Sequence, residues 1–134
     1  MVISRETDYA MRILRRISDG EMHSIGKLCD TEHIPRQAGD KIIEKLQLQK
    51  VLIRSSGKDG GCRLCADLNK ITLFDVMHAI GNECCVNLCI VPGHVCLWQE
   101  THMDTSKIHT KLASIQEEIN ERLQLMDLQT LLFD

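Results

Sequence analysis

No run of 18 or more apolar residues occurs in this sequence, which excludes a membrane-spanning helix. The opening Met1-Val-Ile-Ser-Arg-Glu-Thr-Asp8 carries acidic residues and lacks an apolar core, so it does not read as a secretory signal. A cytoplasmic address is expected. No Gly-rich phosphate loop follows a strand and no nucleophile–base pair is evident, which argues against an enzyme. Internal repeats and low-complexity tracts are missing. Aromatic residues are scarce at 3%, but 43% hydrophobic residues in a chain of 134 suffice for the core of one domain with an appended helix.

What is abundant is cysteine. There are seven, an odd number, and four crowd into Cys84, Cys85, Cys89 and Cys96 on a loop with Pro92 and Gly93. In a reducing compartment such a cluster points to metal binding or redox sensing before it points to a disulfide scaffold. Thiolates this close in sequence can converge on one soft metal. Three chemistries are open at this point: an iron–sulfur centre, a structural zinc held by three cysteines and a histidine, or a cluster-free thiol switch.

The net charge of −3 hides an asymmetry. Residues 1–60 hold 11 Lys/Arg against 9 Asp/Glu, whereas residues 61–134 hold 5 against 10, so the first half is the side suited to nucleic acid.

Apolar periodicity predicts a helix from about Ser4 to Ser18, with Ala10, Ile13, Leu14 and Ile17 on one face and Arg5, Arg12 and Arg16 on another. A short helix starting at Ser24 follows. Pro35 suits the first turn of a third helix reaching Gln49, which buries Ile42, Ile43 and Leu46 and exposes Arg36, Gln37, Asp40 and Lys41. Two short helices joined tightly in this way suggest helix-turn-helix. Val51–Ser56, the turn Gly57–Gly61 and Cys62–Cys65 form a hairpin, the wing, whose tip carries Lys58. Thr72 and Asp75 form a capping box that opens another helix, stopped at Gly81. A last helix begins near Thr105 or Ser106, where Ile108, Leu112, Ile115, Ile119 and Met126 make a coiled-coil-like stripe interrupted by Arg122. Its simplest partner is a second copy.

The fold expected is therefore mostly α with a small β-hairpin: a winged helix-turn-helix with a long C-terminal dimerisation helix. Residues 1–80 form the DNA-binding domain, 81–104 the cysteine-rich loop, and 105–134 the dimerisation helix and tail. Arg36, Gln37, Asp40 and Lys41 would enter the major groove of promoter DNA, with Ser24, Lys27, Arg54 and Lys58 near phosphates.

In order along the chain, Thr7-Asp8-Tyr9-Ala10, Ile34-Pro35 with Lys41-Ile42-Ile43 and Leu46, Gly57–Leu64, Ile71–Val76 and three spaced cysteines resemble one family. These are dimeric winged-helix bacterial regulators with an iron–sulfur cluster, including IscR and the nitric-oxide-sensitive repressor NsrR. The spacing of Cys84, Cys89 and Cys96 with Pro92 is most similar to the nitric-oxide-sensing branch. The resemblance implies a homodimeric regulator, a repressor, with a [2Fe–2S] or [4Fe–4S] cluster on Cys84, Cys89 and Cys96. It implies Asp8 of the partner subunit as the fourth ligand, with Cys85, His94 and His102 as alternates.

The chain departs from the family at several points. Cys84 and Cys85 are adjacent, which leaves open which one ligates. Cys62 replaces the usual wing aromatic, Ser56 stands at the minor-groove arginine, and Ala38-Gly39 occupy positions where bulkier residues are usual. Cys29 reads as a small buried residue. Cys62 and Cys65 should point to opposite faces of their strand. His23, His33, His78 and His109 read as surface or packing residues, and Arg12 and Arg16 as either a solvated face or phosphate contacts.

Overall fold

The computed structural model describes residues 2–57, 60–102 and 107–134. Lys58 at the wing tip, and Thr105 and Ser106 where the last helix was expected to begin, lie outside the described residues.

Helix α1 (Arg5–Arg16) starts where Ser4 caps it, its hydroxyl accepting from the Thr7 N–H, with Glu6 and Asp8 facing the positive end of the helix dipole. Its Ala10, Ile13 and Leu14, continued by Ile17 in a 3-10 turn, are fully buried and form the centre of an aliphatic core. Helix α2 (Ile25–Glu32) is capped by Ser24. The basic face of α1 is turned onto it: Arg12 Nη1 donates to the Glu32 carbonyl at 3.1 Å, and Arg16 pairs with the Glu32 carboxylate at 2.7 Å. Arg12 also pairs with Asp8 at 2.6 Å and lies over the Tyr9 ring. The two arginines thus bind α1 to α2.

Helix α3 (Arg36–Leu48) takes Pro35 as its N-cap, one position before the expected place. It buries Ile42, Ile43 and Leu46 as the periodicity requires. A Cβ on Gly39 would lie 2.5 Å from Cys29 Sγ, so α2 and α3 approach too closely for any side chain there. This explains the small residue in α3. Burial pushes the Cys29 thiol above its ordinary pKa.

Strands β1 (Leu52–Ser55) and β2 (Gly61–Leu64) pair antiparallel, Leu52 opposite Leu64 and Ser55 opposite Gly61. The hairpin is stitched to the approach of α2, since His23 and Cys62 exchange both backbone hydrogen bonds at 2.9 Å. A side chain at Gly61 would collide with the His23 carbonyl. Cys62 is fully buried and its thiol is pushed up to about 11 by loss of water, whereas exposed Cys65 donates its S–H to the Lys50 carbonyl at 3.0 Å. The two sulfurs are therefore separated by the strand's alternation.

Helix α4 (Leu73–Ile80) opens with the Thr72–Asp75 capping box and closes at Gly81, whose φ of 77° suits glycine. The short α5 (Leu97–Thr101) precedes α6 (Lys107–Leu125) and α7 (Leu128–Phe133). The expected stripe does not continue through Met126 as helix. The chain breaks after Leu125 and turns back on α4: Leu73 N–H donates to the Met126 carbonyl, and Leu128 N–H to the Ile71 carbonyl, both at 2.8 Å. Leu128 is fully buried in the main core, and Leu123 joins Leu73 and Met77 in a second cluster. Only the first half of the stripe, Ile108 and Ile115, stays exposed.

Gly39→Ala should destabilise the protein by roughly 1–3 kcal/mol through overpacking. Cys29→Ala in the same chain should recover most of that loss, read as a coupling energy from urea unfolding of the two single variants and the double variant. Additive losses would show that the Cys29 sulfur is not the obstacle.

Candidate functional site

The cysteine loop leaves α4 through Gly81 and Asn82, and its base is held from two sides. Asn82 Oδ1 accepts from the Ser4 N–H at 2.8 Å and from the Thr7 hydroxyl at 2.6 Å, while Asn82 Nδ2 donates to the Val2 carbonyl at 3.4 Å. Among the described residues Thr7 is the one fully buried polar side chain, so this bond satisfies a group that water cannot reach. From α3, Lys45 Nζ donates to the Ile80 carbonyl at 3.2 Å, covering one of the unpaired carbonyls at the end of α4.

Helix α6 holds the next turn. Gln116 Oε1 accepts from the Val86 N–H and Gln116 Nε2 donates to the Cys84 carbonyl, both at 2.8 Å. Between α4, this turn and α6 lies a cavity of about 380 Å³ bordered by Phe74, Met77, Cys84, Cys85, Val91 and Gln116. The Cys84 side chain packs with the Leu73, Met77 and Leu123 cluster, and the exposed Cys85 donates its S–H to the Asn87 carbonyl at 2.8 Å.

Asn87 then opens a 3-10 turn, Leu88–Ile90, by accepting from the Cys89 N–H at 2.7 Å. This turn brings Cys89 to Cys96, and the Cys89 S–H donates to the Cys96 sulfur at 3.2 Å. Cys96 is the N-cap of α5. The Gln99 N–H, the Cys89 hydrogen bond and the Trp98 N–H hold the Cys96 thiol below its ordinary pKa, and donating to that sulfur raises Cys89. The two sulfurs share one hydrogen bond in which Cys96 is the more acidic partner.

A third donor joins them. Cys89 Sγ, Cys96 Sγ and a ring nitrogen of His109 all lie within 4.8 Å of one another, each residue half-buried. His109 Nδ1 is buried with no hydrogen-bond partner, and its ring meets the Trp98 ring edge-on at 5.6 Å. His109 was expected to be a surface or packing residue. A usable signal was its seven-residue spacing from Gln116, two helical turns, which puts both on the loop-facing side of α6.

The structure thus brings Cys89 and Cys96 together. Cys84 is outside that 4.8 Å group, as are Cys85, His94 and His102. His102 Nδ1 is 2.9 Å from the Trp98 carbonyl and 2.8 Å from Thr101 Oγ1, and its ring stacks on Trp98 at 4.7 Å. Asp8, on α1, is paired with Arg12 within its own chain.

On the winged-helix face, Arg36, Gln37 and Lys41 are exposed along α3. Half-exposed Asp40 sits between two cations, 3.4 Å from Arg36 and 3.5 Å from Arg54, so one carboxylate joins the helix to the wing. Ser24 and Lys27 lie at the start of α2, with the Ser24 hydroxyl engaged as the cap. A shallow cleft of about 330 Å³ between Ser24, Arg36, Arg54 and the wing residues Ser55, Ser56 and Gly57 runs across this face. A second groove, of about 620 Å³, has Gln37, Lys41 and Lys45 on one wall and Ile80, Asn82 and Glu83 on the other, so the helix and the loop base share a boundary.

A family model named Rrf2, described as an iron-dependent transcriptional regulator, matches residues 3–134. Among solved structures, the oxidized form of CymR from Staphylococcus aureus is 13% identical with a TM-score of 0.72, covering 100% of this chain and 98% of that one. CymR of B. subtilis, described as a global cysteine regulator, is 15% identical with a TM-score of 0.68, over 98% and 96%. IscR of T. potens is 14% identical with a TM-score of 0.69, over 98% and 86%. At these identities the likeness is one of fold. Among the described residues no helix is long and apolar enough to cross a membrane.

Alkylation of the metal-free protein should separate the cysteines into classes. Cys65 and Cys85 should react readily, while Cys29 and Cys62 should resist until unfolding, as buried thiols with raised pKa values do. Within the pair, labelling at Cys96 should persist to lower pH than at Cys89, because the depressed group stays a thiolate as acid is added. Site-resolved mass spectrometry across roughly pH 5–9, about two units either side of neutrality, reads this order. Equal profiles for Cys89 and Cys96 would contradict the shared-proton description.

Proposed function

We propose, on the premise that this chain belongs to the Rrf2 family of transcriptional regulators, that it is a homodimeric repressor whose grip on promoter DNA is set by an iron–sulfur centre in its cysteine loop. The observation that carries this reading is the 3.2 Å approach of Cys89 to Cys96 on a loop whose base is hydrogen-bonded to both α1 and α3. Residues 1–80 act as the DNA-binding domain, 81–104 as the sensing loop, and 105–134 as the dimerisation helix and tail. The protein works in the cytoplasm, where promoters are.

Arg36, Gln37, Asp40 and Lys41 read base edges in the major groove, while Ser24, Lys27, Arg54 and Lys58 bind phosphates and fix the register. Exposed Ile108 and Ile115 of α6, with Leu97 and Trp98 of α5, supply the apolar face for a second copy. The centre takes Cys84, Cys89 and Cys96, with Asp8 of the partner subunit as the fourth ligand and Cys85, His94 and His102 as alternates.

The donor chemistry fits. Two thiolates on one tetrahedral metal with bonds of about 2.3 Å sit about 3.8 Å apart, a small adjustment from the pair observed. A [2Fe–2S] or [4Fe–4S] cluster bound here supplies an iron that nitric oxide, oxidation or iron shortage can attack. Recruiting Cys84 to that centre would withdraw it from its apolar cluster. Gln116 holds its carbonyl and Asn82 anchors the chain just before it, so a shift of Cys84 would be felt at α1 and, through Lys45, at α3. DNA affinity then differs between the two loop states, which is all that coupling requires.

A second reading is favoured by the same sulfur pair: a cluster-free switch in which Cys89 and Cys96 lose two electrons and two protons to an oxidant such as a peroxide and close a disulfide. Anaerobic protein should be brown, lose its visible absorption on exposure to nitric oxide, and change its promoter affinity about tenfold or more, an ordinary allosteric coupling. Cys89→Ser should be colourless with an unchanged far-UV circular dichroism spectrum. Colourless wild-type protein carrying one zinc per chain would overturn the cluster reading. Metal-free protein with a reversible Cys89–Cys96 disulfide would replace it with the thiol switch. Arg36→Ala and Lys41→Ala should each weaken promoter binding. Lys27→Ala should lower the salt slope by about one, as expected for a lost phosphate contact.

A further inference from the structure

We propose that Cys89, Cys96 and His109 form a site for a single zinc-class cation, filled when the loop carries no cluster. The inference goes beyond the iron–sulfur reading and does not depend on it, because the site leaves Cys84 out. The two sulfurs and a His109 ring nitrogen lie within 4.8 Å of one another, with the sulfurs 3.2 Å apart. Around one tetrahedral zinc, sulfur and nitrogen donors sit about 3.5–3.8 Å apart, so side-chain shifts of roughly an ångström suffice. A cluster spreads three protein donors over at least two irons, whereas a group this compact fits a single ion. His109 Nδ1 is buried without a hydrogen-bond partner, and such a nitrogen is costly unless something completes it. The Trp98 ring, edge-on at 5.6 Å, limits how the imidazole can turn away.

The donor set selects the metal. Two thiolates and an imidazole suit zinc, while calcium and magnesium require oxygen ligands, and among the described residues no carboxylate belongs to the group. No fourth cysteine or histidine among them joins it either, which leaves the last tetrahedral position to water. The ligands come from three elements: Cys89 from the 3-10 turn, Cys96 from the head of α5, and His109 from α6. One ion would therefore fasten the loop to α6 without disturbing Cys84. That residue stays in the Leu73, Met77 and Leu123 cluster, its carbonyl held by Gln116. The proposed iron–sulfur cluster needs Cys84 and the same two sulfurs. The two metallated states exclude each other, and zinc holds the loop in its cluster-free arrangement. Zinc on both sulfurs also keeps them from closing a disulfide.

The test uses the full chain, reduced under anaerobic conditions and stripped of metal. Cobalt(II) should bind with one ion per chain, giving thiolate-to-cobalt absorption and tetrahedral ligand-field bands that stoichiometric zinc abolishes. X-ray absorption of the zinc-loaded wild type should show two sulfur neighbours, the rest being nitrogen and oxygen. That reading needs no variant, so a folding defect cannot hide the answer. Cys89→Ser and Cys96→Ser should each weaken the thiolate band. His109→Ala should weaken zinc binding at least about tenfold, the loss that removing even an outer-shell partner brings. Cys84→Ser should bind zinc as the wild type does while failing to assemble a cluster from ferrous iron and sulfide. Zinc loaded first should block cluster assembly on the wild type, and a cluster formed with the zinc retained would overturn the site. Three sulfur neighbours, no zinc uptake by the stripped wild type, or full retention in His109→Ala would each overturn it too. Zinc binding as described, with no cluster under any reconstitution, refutes the iron–sulfur reading and upholds this site. A cluster on zinc-free wild type, with no zinc uptake, does the reverse.

Discussion

A threonine hydroxyl shut away from water has to find a partner, and Thr7 finds it in the side chain of Asn82, 75 residues later in the chain. The same carboxamide oxygen takes the Ser4 N–H, so the first turn of α1 and the root of the cysteine loop share one acceptor. The placing of the loop against α1 passes through this contact. It lies one residue before Asp8, at the mouth of the loop, and close in the chain to the Ile80 carbonyl that Lys45 of α3 covers. A change in the loop's conformation cannot leave either helix indifferent, because the alternative is a buried polar group without a bond.

The winged-helix half is closely cross-braced. Its helices are tied by the Arg12 hydrogen bond to the Glu32 carbonyl, by the Arg16–Glu32 ion pair and by the close approach of Gly39 to Cys29. The hairpin is pinned at its base by the His23–Cys62 backbone pair, leaving little room for the wing to pivot where it joins the core. Asp40 adds a weaker tie at 3.4–3.5 Å, one that the phosphates of a DNA backbone can compete with. The hairpin is thus held firmly at its base and more weakly, through Arg54, against α3.

Local chemistry is what the sequence displays, and the elements governed by local chemistry were legible. The Thr72–Asp75 capping box, the aliphatic periodicity of α1 and α3, the pairing of the two hairpin strands and the opposite settings of buried Cys62 and exposed Cys65 all follow from spacings of a few residues. Features set by distant packing were not. Gly39 looked like a departure because the sulfur that crowds it belongs to another helix. The stripe on α6 looked uncovered because its second half is met by α4 and by a return of the chain through Met126 and Leu128. His109 lay hidden for a related reason: nothing in a thirteen-residue separation from Cys96 tells that α6 folds back alongside the loop, whereas the pairing of Gln116 with Cys84 does.

The burial of Leu128 among Ala10, Ile13 and Ile43 has a bearing on how the molecule holds together. Leu128 follows the winged-helix elements and the cysteine loop in the chain, so the interior that α1 and α3 share is plugged by a residue from beyond the loop. The first eighty residues and the segment after the loop are thereby one cooperative body: without Leu128, apolar surface of α1 and α3 would stand open to water.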